Sequence, residues 1–532
     1  MRNRARTATI GSIFVTLLAA GGYGAYNLLS SITESTTRSG PLSSSEIADT
    51  SEAFLAAWEN GQAEEASAYT DYASTARSML DNYYDDARLT EVDIRPGTPE
   101  GATVPFTVKA TASYRGTRRS ITYQSKLTVV RGKTTGKALV SWKPSVLHPE
   151  LKAGDTLVTG RAATPAIEAV DRNDIVLTRD KYPSLGPVLT SLRDRYGATA
   201  GGTPGTEIAI RHSNADIPDT TLAVFSKGKP GKIRTTLSAG MQAAAEKAVA
   251  DYSESSVVAL QPSTGEVLAV ANHRKDGFNA AFLGKLAPGS TMKIVSAATL
   301  IDNGITTAAG PAPCPATATW QSQTFHNLTG MQPQESATLS DSFSRSCNTA
   351  FVKYADEVSD DSLTKEAEQR FGLGQDNWKT GIESFDGSIP VSGGPDTAAN
   401  MLGQGQVQMS PLNMASVTAT AITGVFRQPV IVPHSLDDRE LATAKGLSSS
   451  TSAQLRSMMQ RTAASGTAAK AMAGLGPDYG AKTGSAEVDG QAKSNSWFTG
   501  YRGDTAVAAM TQQGGHGGEA AGPIVATVLR AG

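Results

Sequence analysis

The chain has 532 residues, 39% of them hydrophobic and 18% charged, with a formal net charge of −2. That length exceeds one hydrophobic core and implies roughly two to four domains, and the absence of a basic stripe excludes a nucleic-acid partner. Two cysteines, Cys314 and Cys347, exclude a disulfide scaffold and a cysteine-built zinc site, and six scattered histidines (148, 212, 273, 326, 434, 516) form no H-x-H or H-x-x-x-H pair, so neither metal nor cofactor is expected.

The first thirty residues set the compartment. Arg2, Arg4 and Arg6 form a short cytoplasmic tail (1–6) ahead of an uncharged run whose core reads "IGSIFVTLLAAGGYGAYNLL". About 20 apolar residues suffice for a transmembrane helix, expected over 7–29, and arginines before it keep the N-terminus inside and export the rest. A cleaved signal peptide is the rival reading. The apolar run continues through Leu28 and Leu29, longer than a signal-peptide core, which favours the anchor. The Ser/Thr-rich stretch 30–46 reads as a flexible linker.

Residues 47–146 open with a helical pattern: Ile47, Phe54, Leu55 and Trp58 fall on one face, and Ser44 or Ser45 is placed to cap it. A second helix is expected near 74–87, followed by the alternating segments "VPFTVKATASYRG", "RRSITYQSKLTVVRG" and "KALVSW". Helices followed by an antiparallel sheet make a small α+β domain, read as a spacer or binding module. The next segment, 147–235, has strand character in "GRAATPAIEAVDRNDIVLT" and is too small for a core of its own, so it packs on a neighbour.

From 236 to 532 the pattern sharpens. "SAGMQAAAEKAVADY" is a helix, and "SVVALQPSTGEVLAVAN" is a hairpin turning at Pro262-Ser-Thr-Gly265. A helix over Thr291–Ile301 follows "APGS". Near the C-terminus, "YGAKTGSAEV", "SNSWFTGYRG" and "TAVAAMTQQ" are three short strands, and "GEAAGPIVATVLRA" closes the chain as a helix. The two ends of this region therefore build one antiparallel sheet, with a helical block over about 290–475 inserted between them.

Serine is a weak nucleophile without a base. G-x-S-x-G is absent, which disfavours an α/β-hydrolase. Ser290 and Lys293, three apart at a helix start, share one face, and a buried lysine near positive charge loses its proton readily enough to serve as base. Roughly one or two chance S-x-x-K matches are expected in a chain this long. Ser226/Lys229 reads as an exposed basic turn. Ser362/Lys365 reads as a helix start, capped by Asp360, Asp361 or Ser362, with Lys365 on the solvated face. Company distinguishes Ser290: Ser346-Cys347-Asn348 and then Lys482-Thr483-Gly484 follow in order, the latter on an expected strand. A second Lys-Thr-Gly at 379–381 lacks strand surroundings.

Ser-x-x-Lys, Ser-x-Asn and Lys-Thr-Gly in that order resemble the motif set of penicillin-binding proteins and class A β-lactamases. Residues 236–532 resemble the transpeptidase domain of class B penicillin-binding proteins, supported by "GQGQVQMSPLNMASVTATAIT", "NSWFTGY" and "AAGPIVATVLR". Residues 47–146 resemble the nuclear-transport-factor-2-like domain that some of these proteins carry, and 147–235 would be a shortened pedestal or dimerisation domain. There the family's Arg-Gly-x-Ile-x-Asp-Arg-Asn-Gly is reduced to "EAVDRNDIVLT". The implied fold class is multidomain α+β, with a penicillin-binding serine-transpeptidase domain behind a cone-like α+β domain and a single membrane helix.

The resemblance implies a D,D-transpeptidase that cross-links peptidoglycan stem peptides and is acylated by β-lactam antibiotics. Ser290 would be the nucleophile and Lys293 its base. Ser346 would relay a proton, Asn348 would hold the substrate amide and Lys293, and Lys482 would supply positive charge. Thr483, Gly484 and Ser485 would bind substrate, with the N–H groups of Ser290 and Ser485 as oxyanion hole. A membrane glycan polymerase is an implied partner, and the catalytic domain would lie outside the cell on a single-pass anchor. A β-lactamase or carboxypeptidase would use the same serine but needs a deacylating group, for which only Glu366 and Glu383 offer themselves. A sensor or inactive scaffold is the third reading, weakened by the intact motifs and a six-residue tail. Cys347 is either a small buried hydrophobe or the partner of Cys314 in a disulfide.

Overall fold

The computed structural model describes residues 40–162, 165–213 and 219–532, so the expected span over 7–29 lies outside the described residues. Among the described residues no helix is long and apolar enough to cross a membrane. The chain divides at Val158/Thr159 into two compact units.

The first unit begins with helix Ser44–Glu59, capped by Ser43 rather than by Ser44 or Ser45. The reason is spacing. Only Ser43 stands three residues before Glu46, so its Oγ accepts the Glu46 N–H (3.2 Å) while Glu46 Oε2 accepts the Ser43 N–H (2.9 Å). The helix therefore starts inside the stretch read as linker. Helices Ala63–Ala68 and Ala73–Asp85 follow. Strands β1 (Leu89–Pro96), β2 (Thr103–Tyr114), β3 (Thr117–Arg131) and β4 (Ala138–Val140) form one antiparallel sheet in chain order. Alternation along β2 sends Val104, Phe106, Val108 and Ala110 inward. Trp58 lies at the centre, edge-on to Tyr83 (5.6 Å between ring centroids) and Phe106 (5.8 Å).

β5 (Thr156–Arg161) spans the division between the units. Beyond it come β6 (Ile167–Val170), helix Gly186–Tyr196, β7 (Thr206–Arg211), β8 (Thr220–Ser226) and β9 (Gly231–Arg234). β6 runs parallel to β9, and β7 pairs antiparallel with β8. The strand expected through "EAVDRNDIVLT" ends at Val170. Asp171 Oδ1 accepts the N–H groups of Asn173 and Ile175, both at 2.8 Å, and turns the chain.

The principal sheet of the second unit has the order β11-β10-β16-β15-β14 and is antiparallel throughout. Its strands are β10 (Ser255–Gln261), β11 (Glu266–His273), β14 (Tyr479–Ala486), β15 (Asn495–Arg502) and β16 (Thr505–Thr511); β12 (Thr317–Trp320) and β13 (Gln323–His326) form a separate hairpin. The two ends of the region do build one sheet around an inserted helical block. Both faces are covered, so alternation divides each strand between two cores. Val258 and Leu260 of β10 join Met414 and Val417 of helix Pro411–Thr423, whereas Val257 and Ala259 join Ala245 and Val525 from helices Ala239–Ala250 and Ala521–Ala531. The helix expected over Thr291–Ile301 is a tight 3₁₀ turn, Gly289–Met292, continuing into α-helix Lys293–Asp302.

Candidate active site

The 3₁₀ turn brings Ser290 and Lys293 together. With about three residues per turn, positions i and i+3 eclipse one another, and Lys293 Nζ lies 3.1 Å from Ser290 Oγ. Two glycines let this turn approach edge strand β14. A Cβ on Gly289, whose φ is +54°, would stand 2.4 Å from the Ser485 carbonyl, and one on Gly484 would stand 2.8 Å from the Pro288 carbonyl. Gly289 N–H also donates to the Gly403 carbonyl (2.8 Å), which ties the turn to the Gly-Gln-Gly stretch.

Lys293 is fully buried. Its Nζ donates to the Ser346 carbonyl (2.9 Å) and to Asn348 Oδ1 (2.7 Å). Both are acceptors only, so a neutral amine spends its two N–H bonds there and turns its lone pair toward Ser290 Oγ. Burial, and secondarily the charge of Lys482, push the Lys293 pKa well below the ordinary lysine range. Lys482, also fully buried, donates to Ser346 Oγ and to the Thr483 carbonyl, both at 2.9 Å. Burial brings its pKa down to about 7.

Ser346 sits between the two lysines, its carbonyl on one and its hydroxyl on the other. It ends helix Leu339–Arg345 in the left-handed conformation (φ 60°, ψ 34°), which a non-glycine residue adopts at a cost. Cys347 bonds Cys314 in a disulfide, resolving the two readings of that residue. Asn348 then opens helix Asn348–Val352.

On the other wall, β14 carries Lys482 and the largely buried Thr483 and Gly484, with Ser485 half-buried. Thr483 Oγ1 and Thr467 Oγ1 are 2.7 Å apart. Ser485 Oγ accepts the Gly517 N–H (3.3 Å) and lies 3.5 Å from His516 Nδ1. All eight expected residues thus belong to three neighbouring elements: the turn, the Ser346–Asn348 corner and β14. Thr467, His516 and Asn327, which holds the N-terminus of the Asn348 helix, were missed. Each lies in a loop with no local pattern, and the glycine-rich run around His516 reads as packing.

The other motif copies stay apart from this site. Ser226 and Lys229 are exposed. Ser362 does start a helix, but the side chain of Asp361 pairs with Lys365 (2.6 Å) instead of capping. Lys379 is exposed in a loop. Glu383 is exposed, and Glu366 is buried beside Asp302, the last residue of the Lys293 helix. At 1.5 Å per residue that end is about 13 Å from Lys293.

Residues 255–530, a little over half of the chain, match the family described as penicillin binding protein transpeptidase domain, and residues 46–155 match the NTF2-like N-terminal transpeptidase domain. The peptidoglycan D,D-transpeptidase PbpA of Mycolicibacterium smegmatis is 28% identical over 379 residues, which cover 58% of this chain and 76% of that protein. The fold is shared with Pseudomonas aeruginosa PBP2, solved in complex with WCK 5153 (TM-score 0.56, 22% identity, 69% of this chain and 96% of that one). It is also shared with a chain from a peptidoglycan synthase complex that coordinates polymerization and crosslinking (TM-score 0.54, 19% identity, 71% and 92%). The ordered motifs, the lysine-bridged cleft they form and the family match over their whole extent lead to one assignment: the chain belongs to the penicillin-binding protein transpeptidase family.

Proposed function

We propose that this protein is a membrane-anchored peptidoglycan D,D-transpeptidase that works through an acyl-enzyme on Ser290. The observation that carries the reading is the Lys293 amine, buried, held by two carbonyl acceptors and 3.1 Å from Ser290 Oγ. In the forward step Ser290 Oγ attacks the carbonyl between two terminal D-alanines, and its proton passes to the Lys293 lone pair. The N–H groups of Ser290 and Ser485 receive the negative charge on the carbonyl oxygen, each worth about 3 kcal/mol. The C–N bond breaks as Ser346 Oγ passes a proton to the departing D-alanine amine, resupplied through Lys482 and Lys293. An amine of a second stem peptide then attacks the ester, forms the cross-link amide and returns Ser290.

Lys482 gains a further role from its lowered pKa. A carboxylate arriving beside it favours its charged form, so the terminal carboxylate of the substrate, held also by Thr483 Oγ1 and the Gly484 backbone, completes the ion pair that binds it. The raised positive charge then helps keep Lys293 neutral. A β-lactam follows the same first step, but its leaving nitrogen stays tethered and blocks the acceptor.

Similarity to the mycobacterial PbpA protein supports the transpeptidase reading over a hydrolase, and the remoteness of Glu366 from Ser290 removes the best deacylating candidate. The apolar run over 7–29 supports a single-pass anchor with this domain outside the membrane, where the Cys314–Cys347 disulfide is stable. The partner in that setting is a glycan polymerase, as in the synthase complex that shares the fold. The test is labelling with a fluorescent penicillin. Wild type should take one stable label per chain and Ser290→Ala none. Equal labelling of both removes the assignment, and rapid loss of label identifies a β-lactamase.

A further inference from the structure

The helix Asn348–Val352 is five residues long and begins at a proposed catalytic side chain. The first N–H groups of any helix lack partners within it. Here those of Asn348 and Thr349 both reach one atom, Oδ1 of Asn327, at 2.8 and 3.1 Å. The other end of that amide, Asn327 Nδ2, donates to the Pro315 carbonyl (2.8 Å) and to Thr349 Oγ1 (3.0 Å). Asn327 therefore fastens the Asn348 corner to the segment that follows Cys314.

The residue before it fixes the Asn348 amide itself. His326, the last residue of β13, accepts Asn348 Nδ2 at its carbonyl (2.9 Å), and Asn348 Oδ1 meets Lys293 Nζ at 2.7 Å. A flipped amide would set two acceptors face to face at His326 and two donors face to face at Lys293. The hairpin end thus decides which end of Asn348 the base sees.

We infer that Asn327 is a positioning residue for acyl transfer: by holding the Asn348 backbone it sets the Asn348–Lys293 hydrogen bond and so the direction of the Lys293 lone pair. The inference rests on the roles given to Ser290 and Lys293 above. Asn327 acts through Asn348, so its loss should slow the chemical step rather than weaken ligand binding. A displacement of about 1 Å in such a constellation costs on the order of 10²-fold in rate.

The test separates non-covalent affinity from the acylation rate constant in stopped-flow labelling with a fluorescent penicillin, using the full chain. Asn327→Ala should lower the rate constant by about tenfold or more, with affinity within about threefold and the folded fraction matched by circular dichroism. Asn327→Asp keeps the Oδ1 acceptor but sets a second oxygen against the Pro315 carbonyl in place of the Nδ2 donor. It should react more slowly than wild type but faster than Asn327→Ala at its own pH plateau, with the acid limb moved to higher pH because an added carboxylate near Lys293 favours the charged amine. Asn327→Ala reacting within twofold of wild type overturns the inference, as does Asn327→Asp reacting more slowly than Asn327→Ala. If the Ala variant does not fold, the Asp variant decides, and a plateau rate within twofold of wild type with an unmoved acid limb overturns the inference. Wild type and Ser290→Ala run alongside: an unlabelled wild type sinks the acyl-transfer reading, whereas a labelled wild type with an unaffected Asn327→Ala sinks only this inference.

Discussion

The interior of the first unit and the floor of the cleft in the second are both buried, yet they are built in opposite ways. Around Trp58 the buried side chains are aromatic and aliphatic, and the indole Nε1 of Trp58 meets no acceptor among the described residues. Around Ser290 the buried side chains include two lysines, and the backbone of Ser346 is left-handed. The first arrangement lowers the free energy of the fold; the second raises it to hold reactive groups in place. A single substitution should therefore affect stability in one region and chemistry in the other.

The largest expected effect is chemical. Lys293→Met keeps the length of the side chain and removes the proposed base, so the acylation rate constant should fall by about 10²–10⁴-fold. No buried amine then has to be desolvated, and the thermal midpoint should stay level or rise, read by calorimetry on the same sample. A fall in midpoint with an unchanged rate would reverse the comparison. The pH dependence has a defined sign. Folding lowers the pKa of both lysines, so between the folded values and 10.5 the unfolded chain binds more protons. Their contribution to stability therefore grows as pH rises from about 7, where Lys482 titrates when folded, toward 10.5.

Trp58→Ala is the converse. Deleting a fully buried tryptophan should cost about 3–5 kcal/mol in the unfolding transition of the first unit, while the acylation rate constant of folded protein stays within twofold. Because the lost N–H has no partner and Phe leaves the smaller cavity, Trp58→Phe should cost less than Trp58→Ala. Denaturant titration followed by circular dichroism reads both.

Glu366 lies on the boundary of the comparison, a buried carboxyl in the catalytic unit that serves no chemistry. Burial, and then Asp302, raise its pKa to about 8. A raised carboxyl pKa means that folded protein binds the proton the unfolded chain has released, so stability falls as pH climbs from about 4.5 to 8. Glu366→Gln removes that penalty. It should gain up to about 4 kcal/mol at pH 8 and almost nothing at pH 4.5, with an unchanged labelling rate. A gain independent of pH would mean that packing, not ionisation, sets the difference.

Much of the site was legible because its chemistry needs particular residue types in order along the chain: Ser290 with Lys293, Ser346 with Asn348, then Lys482 with its strand. The continuous apolar runs of β10 and β11 and the helical face of Ile47, Phe54 and Trp58 were legible because burial marks the sequence, on both faces of the strands and on one face of the helix. Three things were not. The 3₁₀ turn at Gly289–Met292 depends on how closely β14 can approach, which is a tertiary fact. The turn at Asp171 depends on a side chain capturing backbone N–H groups, two of them on its own turn and one at Ala239. Asn327 works 21 residues from its partner, at the end of a hairpin whose position no local pattern announces.

The smallest effect expected is at the start of the first unit, and it tests whether that unit's stability is packing alone. Ser43 and Glu46 close a capping box on helix Ser44–Glu59, and both Glu46 oxygens also receive Arg131, at 3.0 Å each. Hydrogen bonds from Arg131 first, and then from Ser43, hold the Glu46 carboxyl down at about 2. A lowered carboxyl pKa stabilises above the unfolded value of 4.5, and that stabilisation is lost as pH falls toward 2. Ser43→Ala should cost about 1 kcal/mol at pH 7. The cost should shrink as pH approaches 2, where the Glu46 half of the box protonates in the folded chain and its side-chain acceptor weakens. If it instead stays constant to pH 2, the hydroxyl caps the helix unaided and the carboxylate belongs to Arg131 alone, anchoring the first helix to β3 as an ion pair independent of the cap.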